Sequence, residues 1–149
     1  MKITPQRILI VENLISLLTL PPMQDTVAVF GKGTAVSSLT HLPWIHTAQV
    51  YYWGDLDTHG FRILHSLRAT GVQTSSLLMD LPTLQQFQDL WATEAKPFRG
   101  ELDLLTTAEA EAYTYLLANP GVRLEQERID WSYVLATLAA QGLLNDQLH

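Results

Sequence analysis

Short apolar runs alternate with amphipathic stretches along the first two thirds of this chain. Ile8-Leu9-Ile10-Val11 is an unbroken aliphatic run, the pattern of a strand buried on both faces of a parallel sheet. The run closes on Glu12, and Leu14 to Leu20 then reads as a short helix stopped by Pro21-Pro22. Thr26 to Phe30 is a second strand, leading through Gly31-Lys32-Gly33-Thr34 into a helical stretch that reaches about Leu39. Gln49 to Trp53 is a third strand. After the acidic turn Gly54-Asp55-Leu56-Asp57, the segment Thr58 to Ala69 places Phe61, Ile63, Leu64 and Leu67 on one face of a helix, and Gly71 ends it. Ser75 to Asp80 reads as a fourth strand. A helix opened near Pro82 follows, with Leu84, Phe87, Leu90 and Trp91 toward the core.

Strand and helix thus alternate four times up to about Glu94. This predicts an α/β fold, a Rossmann-like parallel sheet of about four strands with right-handed crossovers and helices on both faces. From Ala95 to Asp103 the pattern lapses into a loop. Thr106-Thr107-Ala108-Glu109 has capping-box spacing and opens a helix to about Ala118, which Asn119-Pro120-Gly121 stops. Val122 to Glu127 reads as a linker before a last helix carrying Trp131, Val134, Leu135 and Leu138. The expectation is one domain over residues 1–149, with a core of about 5–94 and a helical extension of about 95–149.

Composition narrows the chemistry. The chain has 149 residues and no cysteine, which removes disulfides, cysteine–zinc sites and thiol nucleophiles together. No signal peptide or membrane-spanning run is visible, and a cytoplasmic location is expected. The net charge of −6 argues against a self-sufficient nucleic-acid binder, because phosphate neutralisation needs lysine and arginine. It leaves room for a metal-dependent nuclease, whose active site is acidic before the metal arrives.

The candidate chemistry gathers at strand ends. Glu12 closes the first strand, and Asp55 and Asp57 follow the third with i, i+2 spacing, so all three carboxylates can meet at one sheet edge. Oxygen donors of this kind suit Mg²⁺, with Mn²⁺ as a substitute, and such a site suits phosphoester hydrolysis. The plainer alternative is that the aspartates cap the following helix or fill a turn. Gly31, Lys32 and Gly33 form a turn that either rests a phosphate or is an ordinary tight turn. Glu125 and Glu127 either add ligands for a second metal or belong to a solvated segment. His59 either contacts a phosphate or is simply polar in a first helical turn. The tyrosines read as packing residues. A haloacid-dehalogenase-type phosphatase also uses Asp-x-Asp after a strand, but places it on the first core strand; here two strands come earlier.

A glutamate closing a first strand and Asp-x-Asp closing a later one resemble the Toprim domain. The run Tyr52-Trp53-Gly54-Asp55-Leu56-Asp57-Thr58-His59-Gly60-Phe61 is similar to the branch shared with type IIB topoisomerase A subunits. Phe30-Gly31-Lys32-Gly33, Tyr52 to Leu64, Ser76 to Asp80 and Leu124 to Ile129 together resemble the carboxyl-terminal domain family of JetD, the nuclease subunit of the Wadjet anti-plasmid system. The resemblance spans nearly the whole chain. It implies a Toprim-like, divalent-metal DNA endonuclease working for an SMC-type motor complex, with Glu12, Asp55 and Asp57 holding the metal. It also implies a homodimer in the full-length context, and an amino-terminal winged-helix-like region for DNA engagement that this chain lacks. The competing expectation is a catalytically incomplete interaction or dimerisation module.

Overall fold

The computed structural model describes residues 5–33 and 35–145. β1 (Arg7–Val11), α1 (Leu14–Thr19), β2 (Thr26–Phe30), α2 (Ala35–Leu39), β3 (Gln49–Trp53), α3 (Thr58–Ala69) and β4 (Thr74–Ser76) alternate along the chain. The strands form one parallel sheet in the order β2-β1-β3-β4. This is the α/β architecture expected from the sequence and is consistent with a Toprim-like fold. β1 and β3 are central, and Ile8 to Val11 and Val50 to Trp53 are buried, which is why their sequences are apolar without alternation. β2, at the edge, is only half covered.

The chain order reverses direction at β1. From β1 it moves outward to β2, then crosses back over β1 to β3 and continues to β4. Right-handed crossovers in opposite directions put α1 on one face and α2 and α3 on the other. They also open a crevice where the connections diverge, at the carboxyl ends of β1 and β3.

The remaining elements are α4 (Leu81–Gln86), β5 (Ala92–Thr93), α5 (Thr107–Ala118), β6 (Val122–Arg123) and α6 (Trp131–Ala140). Three expectations change here. The fourth strand ends at Ser76, because Leu78 adopts a left-handed backbone (φ 63°) that no ladder continues through; Leu77, Leu78 and Met79 are buried all the same. The helix at Pro82 stops at Gln86 and a 3₁₀ turn, Gln88–Leu90, takes over, which leaves Leu90 exposed. The supposed linker after Gly121 is structural: β6 pairs antiparallel with β5, and Leu124 exchanges both backbone hydrogen bonds with Leu56, at 2.9 and 3.0 Å. The capping box at Thr106 and Glu109 forms as its spacing requires.

Glu109 also ties α5 to the sheet. Arg68, near the end of α3, donates through Nε and Nη2 to the Thr74 carbonyl at 3.0 and 2.9 Å, and through Nη1 to the Leu104 carbonyl at 2.8 Å. Its Nη2 reaches Glu109 Oε2 at 3.0 Å, and the Ser76 hydroxyl donates to the same oxygen. Burial opposes charge on Glu109, but these bonds outweigh it and hold the carboxyl below its ordinary pKa. Breaking a buried, hydrogen-bonded pair from one side costs about 3–5 kcal/mol. Arg68→Ala should therefore lower the unfolding free energy by about 3 kcal/mol in urea titrations; a loss below about 0.5 kcal/mol, the level of an ordinary surface substitution, would show that the clamp contributes little.

Candidate functional site

β1 and β3 run side by side with Val11 opposite Trp53, so the residues that follow them leave the sheet together. Glu12 N donates to the Trp53 carbonyl at 3.3 Å. Glu12 Oε2 in turn accepts the Asp55 N–H at 3.2 Å and stands 3.5 Å from the buried Tyr52 hydroxyl. Gly54 makes the turn possible, since a Cβ there would fall 2.4 Å from that hydroxyl. Asp57 caps α3, its Oδ1 accepting the Gly60 N–H at 2.7 Å. A Cβ on Gly60 would sit 2.1 Å from the Asp55 carbonyl oxygen, so glycine is required there too.

The two aspartates share a cation supplied by the chain itself. Arg123 Nη2 donates to Asp55 Oδ2 at 2.9 Å. Its Nε lies 3.1 Å from Asp57 Oδ2, close enough for an ion pair but off hydrogen-bond alignment. The β5–β6 pair and the Leu56–Leu124 bridge deliver that guanidinium. Gln126 completes the enclosure: its N–H donates to Asp55 Oδ1 at 2.9 Å, its Nε2 to the Trp53 carbonyl at 2.8 Å, and its Oε1 accepts the Asn13 N–H at 2.9 Å. On the other side, buried Glu94 accepts both the N–H and the hydroxyl of Thr58. Its Oε1 is 3.6 Å from His59 Nε2, which also contacts the Lys96 carbonyl at 2.8 Å.

Glu12, Asp55, Asp57 and Glu94 thus crowd one end of the sheet with Arg123 as the cation among them. Burial, followed by Glu94 and Asp55, raises the Asp57 carboxyl to about 7, against the pull of Gly60 and Arg123. Burial and then Asp55 raise Glu12 as well. The Arg123 pKa is raised too, which for a cation favours the charged form: burial alone would weaken that charge, but Asp55 and Asp57 outweigh it. The remaining sequence-derived candidates fall into place around this cluster. Lys32 and Gly33 border the same groove as Glu12 and His59. Gly31 instead packs tightly, with Ile10, Val36 and Leu39 within about 3.3 Å of where a Cβ would be. Glu125 is half-buried and Glu127 exposed; burial first, then Asp55 and Glu125, raises the Glu127 carboxyl.

Among the described residues, no three His, Asp or Glu side chains are grouped closely enough to hold a metal ion. Arg123 occupies the position between the aspartates, and Glu12 Oε2 is turned to the Asp55 amide. The donor chemistry nevertheless fits a hard cation. Both Asp55 Oδ2 and Asp57 Oδ2 already face one positive group, and burial with Glu94 and Asp55 nearby raises the Asp57 carboxyl in spite of it.

A family model described as the Wadjet protein JetD, C-terminal, matches residues 1–138. The chain belongs to this family. Membership makes it a Wadjet defence component. No curated protein matches it. Among the described residues, no helix is long and apolar enough to cross a membrane.

Sequence reasoning missed Arg123, Gln126 and Glu94 as members of the cluster. Gln126 lies between the two glutamates singled out by their spacing, and it is the residue of that block that enters the site. Two-residue strands have no periodicity to detect, so the pairing that carries Arg123 and Glu94 inward left no pattern.

The Asp57 shift has a consequence for stability. Its folded pKa exceeds its unfolded value, so the folded chain binds the proton more tightly, and stability falls as pH rises from about 4 to about 7. In EDTA, Asp57→Asn keeps an N-cap acceptor and removes the charge. It should flatten that pH dependence and raise the melting midpoint at pH 8 by about 5 °C, with no gain below pH 4. A variant less stable than wild type at pH 8 would contradict this assignment.

Proposed function

We propose that this chain is a divalent-metal-dependent endonuclease domain that hydrolyses DNA phosphodiester bonds for an SMC-associated anti-plasmid complex. The observation that carries the reading is the convergence of Asp55 and Asp57 on one cation position, at the crevice where the sheet's connections diverge, in a chain of the JetD family. Asp55 and Asp57 would hold Mg²⁺ or Mn²⁺ once Arg123 withdraws, with Glu12 beside them. Glu125 and Glu127, on either side of Gln126, would be the further carboxylates for a second ion. A cation bound there would polarise the scissile phosphate and acidify a water.

The chain's own groups supply the rest. Glu12 spends Oε2 on the Asp55 amide, which leaves Oε1 to take a proton from the attacking water. Its raised pKa brings it toward the range where a carboxylate accepts protons efficiently. Lys32 and Gly33 offer positive charge and backbone N–H to a phosphate, Gly31 giving its own N–H to the Val11 carbonyl at 3.0 Å and only shaping the turn, and His59 lines the same groove. Water attacks phosphorus as its proton passes to Glu12, the bridging P–O bond breaks, and the leaving oxygen takes a proton from solvent water, after which Glu12 releases its own to solvent. Duplex plasmid DNA, the SMC-type motor subunits and a second copy of this protein are the partners this reading assigns.

A second reading is favoured by Arg123 itself: a site already neutralised from within can be a structural element of an interaction or dimerisation module. Two measurements separate them. Wild type should nick supercoiled plasmid in Mn²⁺, and Asp55→Asn should lower that rate about 100-fold or more; the absence of both nicking and Mn²⁺ binding heat would favour the module. Arg123→Gln should cost about 3 kcal/mol in EDTA by stranding two buried carboxylates. Saturating Mn²⁺ should restore more stability to it than to wild type; equal Mn²⁺ effects on both would show that cation and guanidinium do not share a place.

A further inference from the structure

A groove enclosing about 480 Å³ runs from the acidic cluster between α2 and α3. That volume falls among small-molecule pockets, roughly 300–1,000 Å³. Its lining includes Val36, Ile63 and Leu67 among serine and threonine hydroxyls, together with Glu12, Lys32 and Arg62. Neither Lys32 nor Arg62 makes an ion pair among the described residues. The Arg62 guanidinium rests instead over the Phe98 ring, 5.0 Å from its centroid, where aromatic contact steadies it without cancelling its charge. In a chain of net charge −6, Arg62 without a carboxylate partner, and Lys32 sharing its charge with Glu12 only at longer range, put positive charge at the mouth of a partly apolar hollow and favour a ligand with an anionic head and a flat, weakly polar body.

We infer that the groove takes one unpaired nucleotide of a DNA strand, its phosphate between Lys32 and Arg62 and its base against Val36, Ile63 and Leu67. The inference rests on the endonuclease reading for the identity of the strand, and adds that the strand enters locally unpaired. A base still paired in a duplex faces its partner and cannot occupy an apolar hollow, whereas an extruded base exchanges stacking for such a surface. Phosphate contact at the rim places the neighbouring phosphodiester next to Glu12, so the groove would fix which bond faces the carboxylates.

The test is binding without metal, which separates it from cutting. Fluorescence anisotropy in EDTA would compare a labelled single-stranded oligothymidylate with a duplex of equal length. The probes are wild type, Arg62→Gln, Arg62→Lys and Ser66→Trp; Ser66 is an exposed groove residue whose replacement fills the hollow without touching the core. The single strand should bind more tightly than the duplex. Arg62→Gln and Ser66→Trp should each weaken it about tenfold with unchanged melting temperatures, Arg62→Lys should retain most of the affinity, and the salt slope should fall by about one in Arg62→Gln. Single-strand binding that Ser66→Trp leaves unchanged, equal binding of the duplex, or no binding to wild type would overturn the inference. Plasmid nicking that persists alongside any of these would leave the endonuclease reading standing. Groove-dependent binding by a protein that cuts nothing would support the groove and remove the nuclease.

Discussion

The guanidinium of Arg123, held between Asp55 and Asp57, is the contact on which the acidic end of this protein depends. Two carboxylates forced together behind a pair of parallel strands repel each other, and burial removes the water that would screen them. A positive group reaching both offsets that repulsion and fixes where they point. Asp57 is still pushed to about 7 with Arg123 in place, by burial first and then by Glu94 and Asp55, so one guanidinium does not fully offset burial and the neighbouring carboxylates. Under the proposed function, a divalent cation is what would complete that neutralisation.

The fold divides the work between two sheets of unequal size. The parallel sheet places Glu12 and Asp55 in register through β1 and β3, and the turn through Gly54 and Gly60 brings Asp57 back over them. The small β5–β6 pair lies across this edge and carries the compensating groups. Glu94 follows β5 and grips the first turn of α3, while Arg123 ends β6 and enters the cluster. Carboxylates and counter-charge therefore belong to separate substructures, joined by the backbone exchange between Leu56 and Leu124 and by Gln126. A displacement of the smaller unit would uncover the aspartates without disturbing the sheet that presents them.

Much of this was legible in the amino-acid order. The aliphatic run at Ile8 to Val11 and the strand at Gln49 to Trp53 gave the central pair, and Glu12, Asp55 and Asp57 at their ends gave the place of the cluster. The capping box at Thr106 and the core face of α3 were equally plain. What escaped notice was set by tertiary pairing. β5 and β6 are too short to show alternation, Leu78 gives no warning of its left-handed backbone, and nothing local marks Gln126 as different from the glutamates Glu125 and Glu127 that flank it. Arg123 looked like part of a solvated charged segment because nothing local distinguishes a surface arginine from one folded onto two carboxylates.

The most direct test of a shared cation position is anomalous diffraction from crystals grown with and without Mn²⁺. The account predicts a manganese peak between Asp55 and Asp57 with the Arg123 guanidinium withdrawn, and the forked ion pair restored in crystals soaked with EDTA. Arg123 still clasping both aspartates at saturating Mn²⁺, with no anomalous peak between them, would contradict it.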